Sequence, residues 1–364
     1  MPALRSNLPA SNNSSSIGDA EDPTDTLLAK HGRLITRLDE MFWSPSDALL
    51  LVKKIQRMDA EAVLRMRESA DAGKQRILVI SDKIRELQPN LAESLCQSGR
   101  LGTVAFRDAK SRLAIGQSNG RSEDMRKVRD EMAKWTDCKW NPPLGDKETR
   151  GLYHPQCAVL LSDHRTNISN TVEMEQFRAF GLPAMEASYW ERFMYLDGEI
   201  DPDNRAKGLL RSKLLIKSAK CVLLSPNASH AAEQIGARGR SGHSRGLIGI
   251  AKAYSITEIN PAFIAYICVV TRHCLTSDEH FAEVCAGFNY VELYNQVREF
   301  LEDPKYDRWS KELLEWWNEQ VFAGIRLGGV GSSALGRTHG TLSMLSAQLE
   351  VQGLDIGNGN TDTT

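Results

Sequence analysis

The chain has 364 residues, 41% of them hydrophobic and 25% charged, with a formal net charge of −2. That composition suits a globular protein with apolar material for a real core, arranged as one large domain or two ordinary ones. The near-neutral balance excludes a global electrostatic pull toward nucleic acid or an anionic membrane, so an electrostatic partner has to be drawn by a local patch.

The stretch "MPALRSNLPASNNSSSIGDAEDPTD" has no apolar run behind a basic start, so no secretory signal is expected. Residues 1–24, rich in Ser, Asn, Pro and Asp, read as a disordered tail. From residue 25 onward helix signals dominate. Ser44-Pro45, Asn260-Pro261 and Asp303-Pro304 each place a capping residue before a proline at the first helical position. Capping-box spacing predicts two further starts, Asn170 with Glu173 and Thr276 with Glu279, and Gly181 is a candidate left-handed stop for the first. "RILVIS" (76–81) is the one strand candidate, and it continues into a helical pattern. Pro142-Pro143 interrupts the pattern, because proline lacks an amide hydrogen and restricts its predecessor.

The expected organisation is therefore all-α, a multi-helix globular core with a helical amino-terminal part and disordered termini. A helical amino-terminal region at 25–140 and a linker at 141–150 lead to a helical core domain at 151–323, followed by a low-complexity tail at 324–364. The most apolar run, "AFIAYICVV" (262–270), is far shorter than the roughly 20 residues a bilayer-spanning helix needs. It reads as the centre of a buried helix, and no membrane partner is expected. The seven cysteines, at 96, 138, 157, 221, 268, 274 and 285, show no CxxC spacing and suit free thiols in a reducing compartment. An intracellular location follows as an expectation, with nucleus and cytoplasm both open.

Charge is concentrated in one place. Residues 205–252 hold ten basic residues against the single acid Glu233, a local +9 in a chain of −2. Within it lies "GARGRSGHSRG" (236–246), where glycines free the backbone and Arg238, Arg240 and Arg245 supply guanidinium forks suited to phosphate. The loop lacks a P-loop's Gly-Lys-Ser/Thr ending, and its Gly236-x-x-Gly239-x-x-Gly242 follows a helical pattern instead of a strand. A mobile joint and an anion grip both remain open. On the helix read from "KGLLRSKLLIKSAKCVLL", Lys213, Lys217 and Lys220 share one stripe, either as a solvated face or as a surface for an anionic partner.

Other constellations are weaker. In "YLDGEIDPDN" Pro202 stands where a calcium loop needs glycine and Gly208 where it needs the bidentate glutamate, so a turn is expected, with Asp203 or Asn204 capping the next helix. His154, Cys157, Asp163 and His164, and separately His273, Cys274, His280 and Cys285, lack zinc-finger spacing; no metal and no cofactor are expected. GxSxG is missing, and the catalytic residues are left unknown. Trp309, Leu313, Trp316, Trp317 and Val321 lie at helical spacing, and adjacent tryptophans cannot share a face, so Trp316 or Trp317 docks on a second element or a partner protein.

Read in order, "TRGLYHPQCAVLL", "YLDGEIDPDNRAKGLLRSKLLIKSAKCVLLSPNAS", "PAFIAYICVVTRHCLTS" and "YNQVREFLEDPKYDRWSKELLEWWNEQVF" resemble an uncharacterised domain family of unknown function expanded in basidiomycete fungi. Its pattern is an RGFxHP start, a DGEIDPxD turn, a GLxRxxLLxK helix and an LLxWWN end. The resemblance implies a fungal origin and the boundaries of the core, and it carries no catalytic or binding residues. The expected function is a non-enzymatic binding protein whose basic surface at 205–252 meets nucleic acid or an acidic protein. The alternatives are an enzyme acting on a phosphorylated or anionic substrate, and a structural protein-interaction module.

Overall fold

The computed structural model describes residues 26–166, 172, 175, 186–234, 245, 246, 248–323, 325 and 326. Both expected tails, residues 325 and 326 apart, and the Asn170–Glu173 capping box with its Gly181 stop lie outside these residues. The fold is all-α: twelve α-helices stand among the described residues, and strand is confined to two pairings of two residues each. By internal packing the chain forms two compact units, 1–121 and 122–364.

In the first unit each helix start is written locally. Helix α1 (Leu27–Leu38) is capped by the Thr26 hydroxyl, α2 (Pro45–Ile55) by Ser44, α3 (Ala60–Glu68) by Asp59 and α4 (Ala72–Leu87) by Asp71, each accepting an orphan amide hydrogen of the first turn. Two further helices follow, α5 (Pro89–Cys96) and the long α6 (Gly99–Met132), within which the division between units falls. The strand expected at 76–81 is helical, lying wholly inside α4. Asp71 starts the helix upstream, and the buried side chains Leu78, Ile80, Ser81 and Ile84 include pairs spaced three and four apart, so the 3.6-residue period prevails over the short apolar run. The core gathers Ile35, Trp43, Leu49, Val52, Ile84 and Leu113. Trp43 satisfies its indole N–H on Thr36 Oγ1 at 3.1 Å.

The second unit is built around one helix. Among the described residues it comprises the end of α6 and six further helices: α7 (Pro155–Leu160), α8 (Lys213–Leu223), α9 (Gly249–Ala253), the central α10 (Pro261–Leu275), α11 (Tyr290–Glu302) and α12 (Asp307–Val321). Every residue of α10 from Ala262 to Leu275 is buried, as the apolar run required. Its Asn260 cap accepts the Phe263 N–H at 2.8 Å. A helix enclosed on all sides must satisfy its polar side chains inside the protein. Tyr266 donates to Asp124 (2.9 Å) and Thr271 to Ser218 (2.9 Å).

Three local readings are corrected here. Thr276 closes α10 instead of opening a helix: its amide bonds the Arg272 carbonyl and its hydroxyl the His273 carbonyl, so neither is left to cap. The next helix starts at Asn289, after an antiparallel pairing of Val284–Cys285 with Phe288–Asn289. Asp303 caps before Pro304 as expected, accepting the Lys305 amide hydrogen, but the turn it opens, Pro304–Tyr306, is 3-10 and α12 begins only at Asp307. The basic helix starts at Lys213, because Gly208 (φ 72°) and Leu210 (φ 55°) take left-handed backbone and break it upstream; Ser212 is the cap, not Asp203 or Asn204.

Candidate functional site

The carboxylates of "YLDGEIDPDN" and the lysines that follow belong to one structure. Leu196 N–H bonds the Gly208 carbonyl at 2.8 Å, which closes residues 196–208 into a loop and returns its acids to the start of α8. Asp201 Oδ1 accepts the amides of Asp203 and Asn204, and its Oδ2 lies 3.0 Å from Lys207 Nζ. Asp197, itself at φ 53°, reaches Lys213 Nζ at 2.8 Å. Those hydrogen bonds hold the Asp201 carboxyl below its ordinary range, through Lys207 first, and raise the Lys213 ammonium, through Asp197 first.

The lysine stripe is not a solvated face. Lys213 is exposed, but Lys217 is only 2% and Lys220 only 6% exposed. Lys217 Nζ sits 2.9 Å from Asp137, donates to the Ser229 carbonyl at 3.0 Å and lies 5.7 Å from the Trp135 ring centroid. Its charge is answered inside the protein. Lys220 has no acid or hydrogen-bond partner for its ammonium among the described residues, and burial, followed by repulsion from Lys217, lowers its pKa. Sequence alone could not find Asp137, because it lies in a 3-10 turn eighty residues before its partner.

Arg238 and Arg240 lie outside the described residues. Arg245 is described only as backbone, in a two-residue parallel pairing with Ile325. The structure therefore brings Lys217 and Lys220 together on one buried face, turns Lys213 toward Asp197, and leaves the choice between joint and grip for the loop untouched. Arg211 stacks 4.9 Å over the Trp316 ring, while fully buried Trp317 donates its indole N–H to the Leu210 carbonyl at 2.9 Å. Trp317 thus docks within the chain, and Trp316 is left half-buried under an arginine.

In the first of the two His/Cys sets, His154 and Asp163 are engaged elsewhere. His154 Nδ1 accepts the Cys157 amide hydrogen (3.3 Å), capping α7, so its proton sits on Nε2 and goes to the Pro142 carbonyl (2.7 Å). Asp163 is bound by Arg165 at 2.7 Å. All seven cysteines are free, and burial pushes Cys157, Cys221 and Cys274 up to about 12, far from a reactive thiolate. Among the described residues no group of three or more His, Cys, Asp or Glu side chains is placed to hold a metal ion, and no helix is long and apolar enough to cross a membrane.

Two polar clusters at the end of α10 were not foreseen. Arg272, 1% exposed, meets both carboxylate oxygens of Glu191 at 2.9–3.1 Å, donates to the Tyr290 hydroxyl at 3.1 Å and lies 3.2 Å from the Phe288 ring centroid. Burial pushes the Glu191 carboxyl up, while for Arg272 burial is outweighed by the neighbouring carboxylate, which keeps the guanidinium charged. Lys147 donates to the carbonyls of His273 and Thr276, and Arg150 to that of Cys274 at 3.0 Å. Cations thus close the negative end of the helix dipole. Burial brings Lys147 down to about 8. An arginine two residues past the apolar run was the one available sign of the first cluster; nothing in "NPPLGDKETRG" announced the second.

These clusters, the acid-closed loop and the two tryptophans all fall within residues 115–322, the span matched by a family of unknown function, DUF6698. No curated protein and no solved structure matches the chain. With more than half of its length inside that match, including the whole of its central helix, the chain belongs to the DUF6698 family of unknown function.

Proposed function

We propose that this is a non-enzymatic helical binding protein that meets an anionic partner, nucleic acid ahead of acidic protein, at the carboxyl end of α8. The observation that supports this is the asymmetry of the lysine stripe. Lys213 and Lys217 are paired with Asp197 and Asp137, whereas Lys220 is buried beside Lys217 with no acid among the described residues. Its stem is buried while the ammonium nitrogen itself is not fully buried, and because burial disfavours its charge, a bound anion at that nitrogen would offset the cost. Arg238, Arg240 and Arg245 follow in sequence and can add charge from the loop.

The test is a salt series on the full chain with labelled single-stranded RNA. For the parent, affinity should fall steeply with salt through counterion release. Lys220→Met should weaken binding and flatten the logarithmic slope by about one, and Arg238→Ser, Arg240→Ser and Arg245→Ser together by up to about three. Lys213→Ala, whose partner is internal, should leave the slope unchanged. Parent and Lys220→Met binding with equal affinity and slope would overturn the reading.

A further inference from the structure

The first unit carries a cavity of about 330 Å³ along α2, α3 and α4. Leu50, Leu51, Met66, Ile77 and Leu78 line it, and Leu50 stands 54% exposed. Three consecutive leucines on α2 cannot all face one core, since successive side chains on a helix are separated by about 100°. Leu49 takes the core, and Leu50 is left to the groove. On α3 no residue is buried, so Met66 is turned to the cavity instead of into a core.

The groove also has a direction. Asp47, in the first turn of α2, and Lys54, in its last, both line it, about 10 Å apart at 1.5 Å of rise per residue. Ser81 of α4 bonds the Ala48 carbonyl at 3.1 Å, while Lys74, two turns earlier in α4, lines the cavity with Lys54. The two helices therefore run antiparallel, and both lysines stand at the same end. Lys53 and Arg57 add charge there with no ion pair among the described residues, although Lys74 itself is 2.9 Å from Asp71. One end of an apolar groove is thus basic and the other acidic.

We propose that this groove docks an amphipathic helix of a protein partner, seated antiparallel to α2, with acidic residues in its first turn against Lys54. A site two turns long accepts apolar anchors spaced i, i+3 or i+4, and i+7. First-turn acids are favoured both by the partner's own dipole and by Lys54, and Asp47 disfavours the reversed seating. The groove lies outside the matched family span, so it is independent of the anion site on α8.

The experiment pans a display library of helix-constrained peptides, about four turns long, with leucines fixed on one face and charges randomised, against the full chain. Recovered peptides should carry Asp or Glu in the first turn. They should bind Leu50→Asp and Lys54→Glu about ten-fold or more weaker than the parent, a loss of about 1.4 kcal/mol. Val104→Asp, an exposed apolar position on α6 that does not line the cavity, should bind as the parent does. The proposal is overturned if no peptide is enriched, if acids show no positional bias, or if Leu50→Asp binds like the parent.

Discussion

His273 is 4% exposed, with no hydrogen-bond partner for Nδ1 among the described residues and with its ring edge-on to Phe281 and Tyr290 at 5.5 and 6.2 Å. Burial first, then Lys147, Arg272 and Arg129, bring its pKa from 6.5 to about 3. The folded pKa is depressed, so between about 6.5 and about 3 the unfolded chain binds the extra proton, and stability drops as pH falls through that window. This one residue contributes a slope of up to about 1.4 kcal/mol per pH unit. His273→Phe should keep the ring packing and flatten the acid side of a urea-midpoint profile between pH 7 and 4. An unchanged profile would place the acid sensitivity elsewhere. Beside it, Glu191→Gln should destabilise by about 3–5 kcal/mol in urea unfolding, because Arg272 is then buried without its counter-charge. Glu191→Gln with Arg272→Met should cost much less than the two single changes summed, and strict additivity would contradict the pairing. The sequence showed the arginine just past the apolar run; the glutamate, eighty-one residues away, needed the fold.

At the scale of elements, α1 and α6 touch backbone to backbone. A Cβ added at Gly116 would lie against the Ala29 carbonyl, and one at Gly32 against that of Leu113. Gly116→Ala should therefore lower stability by about 1–3 kcal/mol, by thermal or urea unfolding, as overpacking does. Gly73→Ala, in the first turn of α4, meets only Asp71 Oδ1 at an ordinary 3.5 Å and should be neutral or stabilise by up to about 1 kcal/mol. The same sign for both would refute the crossing. Helix starts marked by Ser44-Pro45 and Asn260-Pro261 were legible because a cap is settled by neighbours in sequence. Thr276 was misread for the complementary reason, since a helix above it in the chain had already claimed its hydroxyl and amide.

Across the whole molecule stability is unevenly spread. Every α10 residue from Ala262 to Leu275 is buried, whereas α3 buries none, so amide exchange should be slowest in α10 and near its fastest helical value in α3. Protection in α3 equal to that of α10 would contradict this packing. The sequence by itself determined the helical class, the caps and the buried central helix, because propensity, capping and apolar periodicity act over a few residues. Only the tertiary structure decided what the charges do. Ten basic residues in 205–252 read as a surface, yet Lys217 points inward to Asp137, Lys213 and Lys207 are answered by the loop before them, and Lys220 alone of the stripe is buried without an acid among the described residues. A local pattern fixes which side of a helix a lysine occupies; whether water, a carboxylate or another helix covers that side is settled by segments far away in sequence.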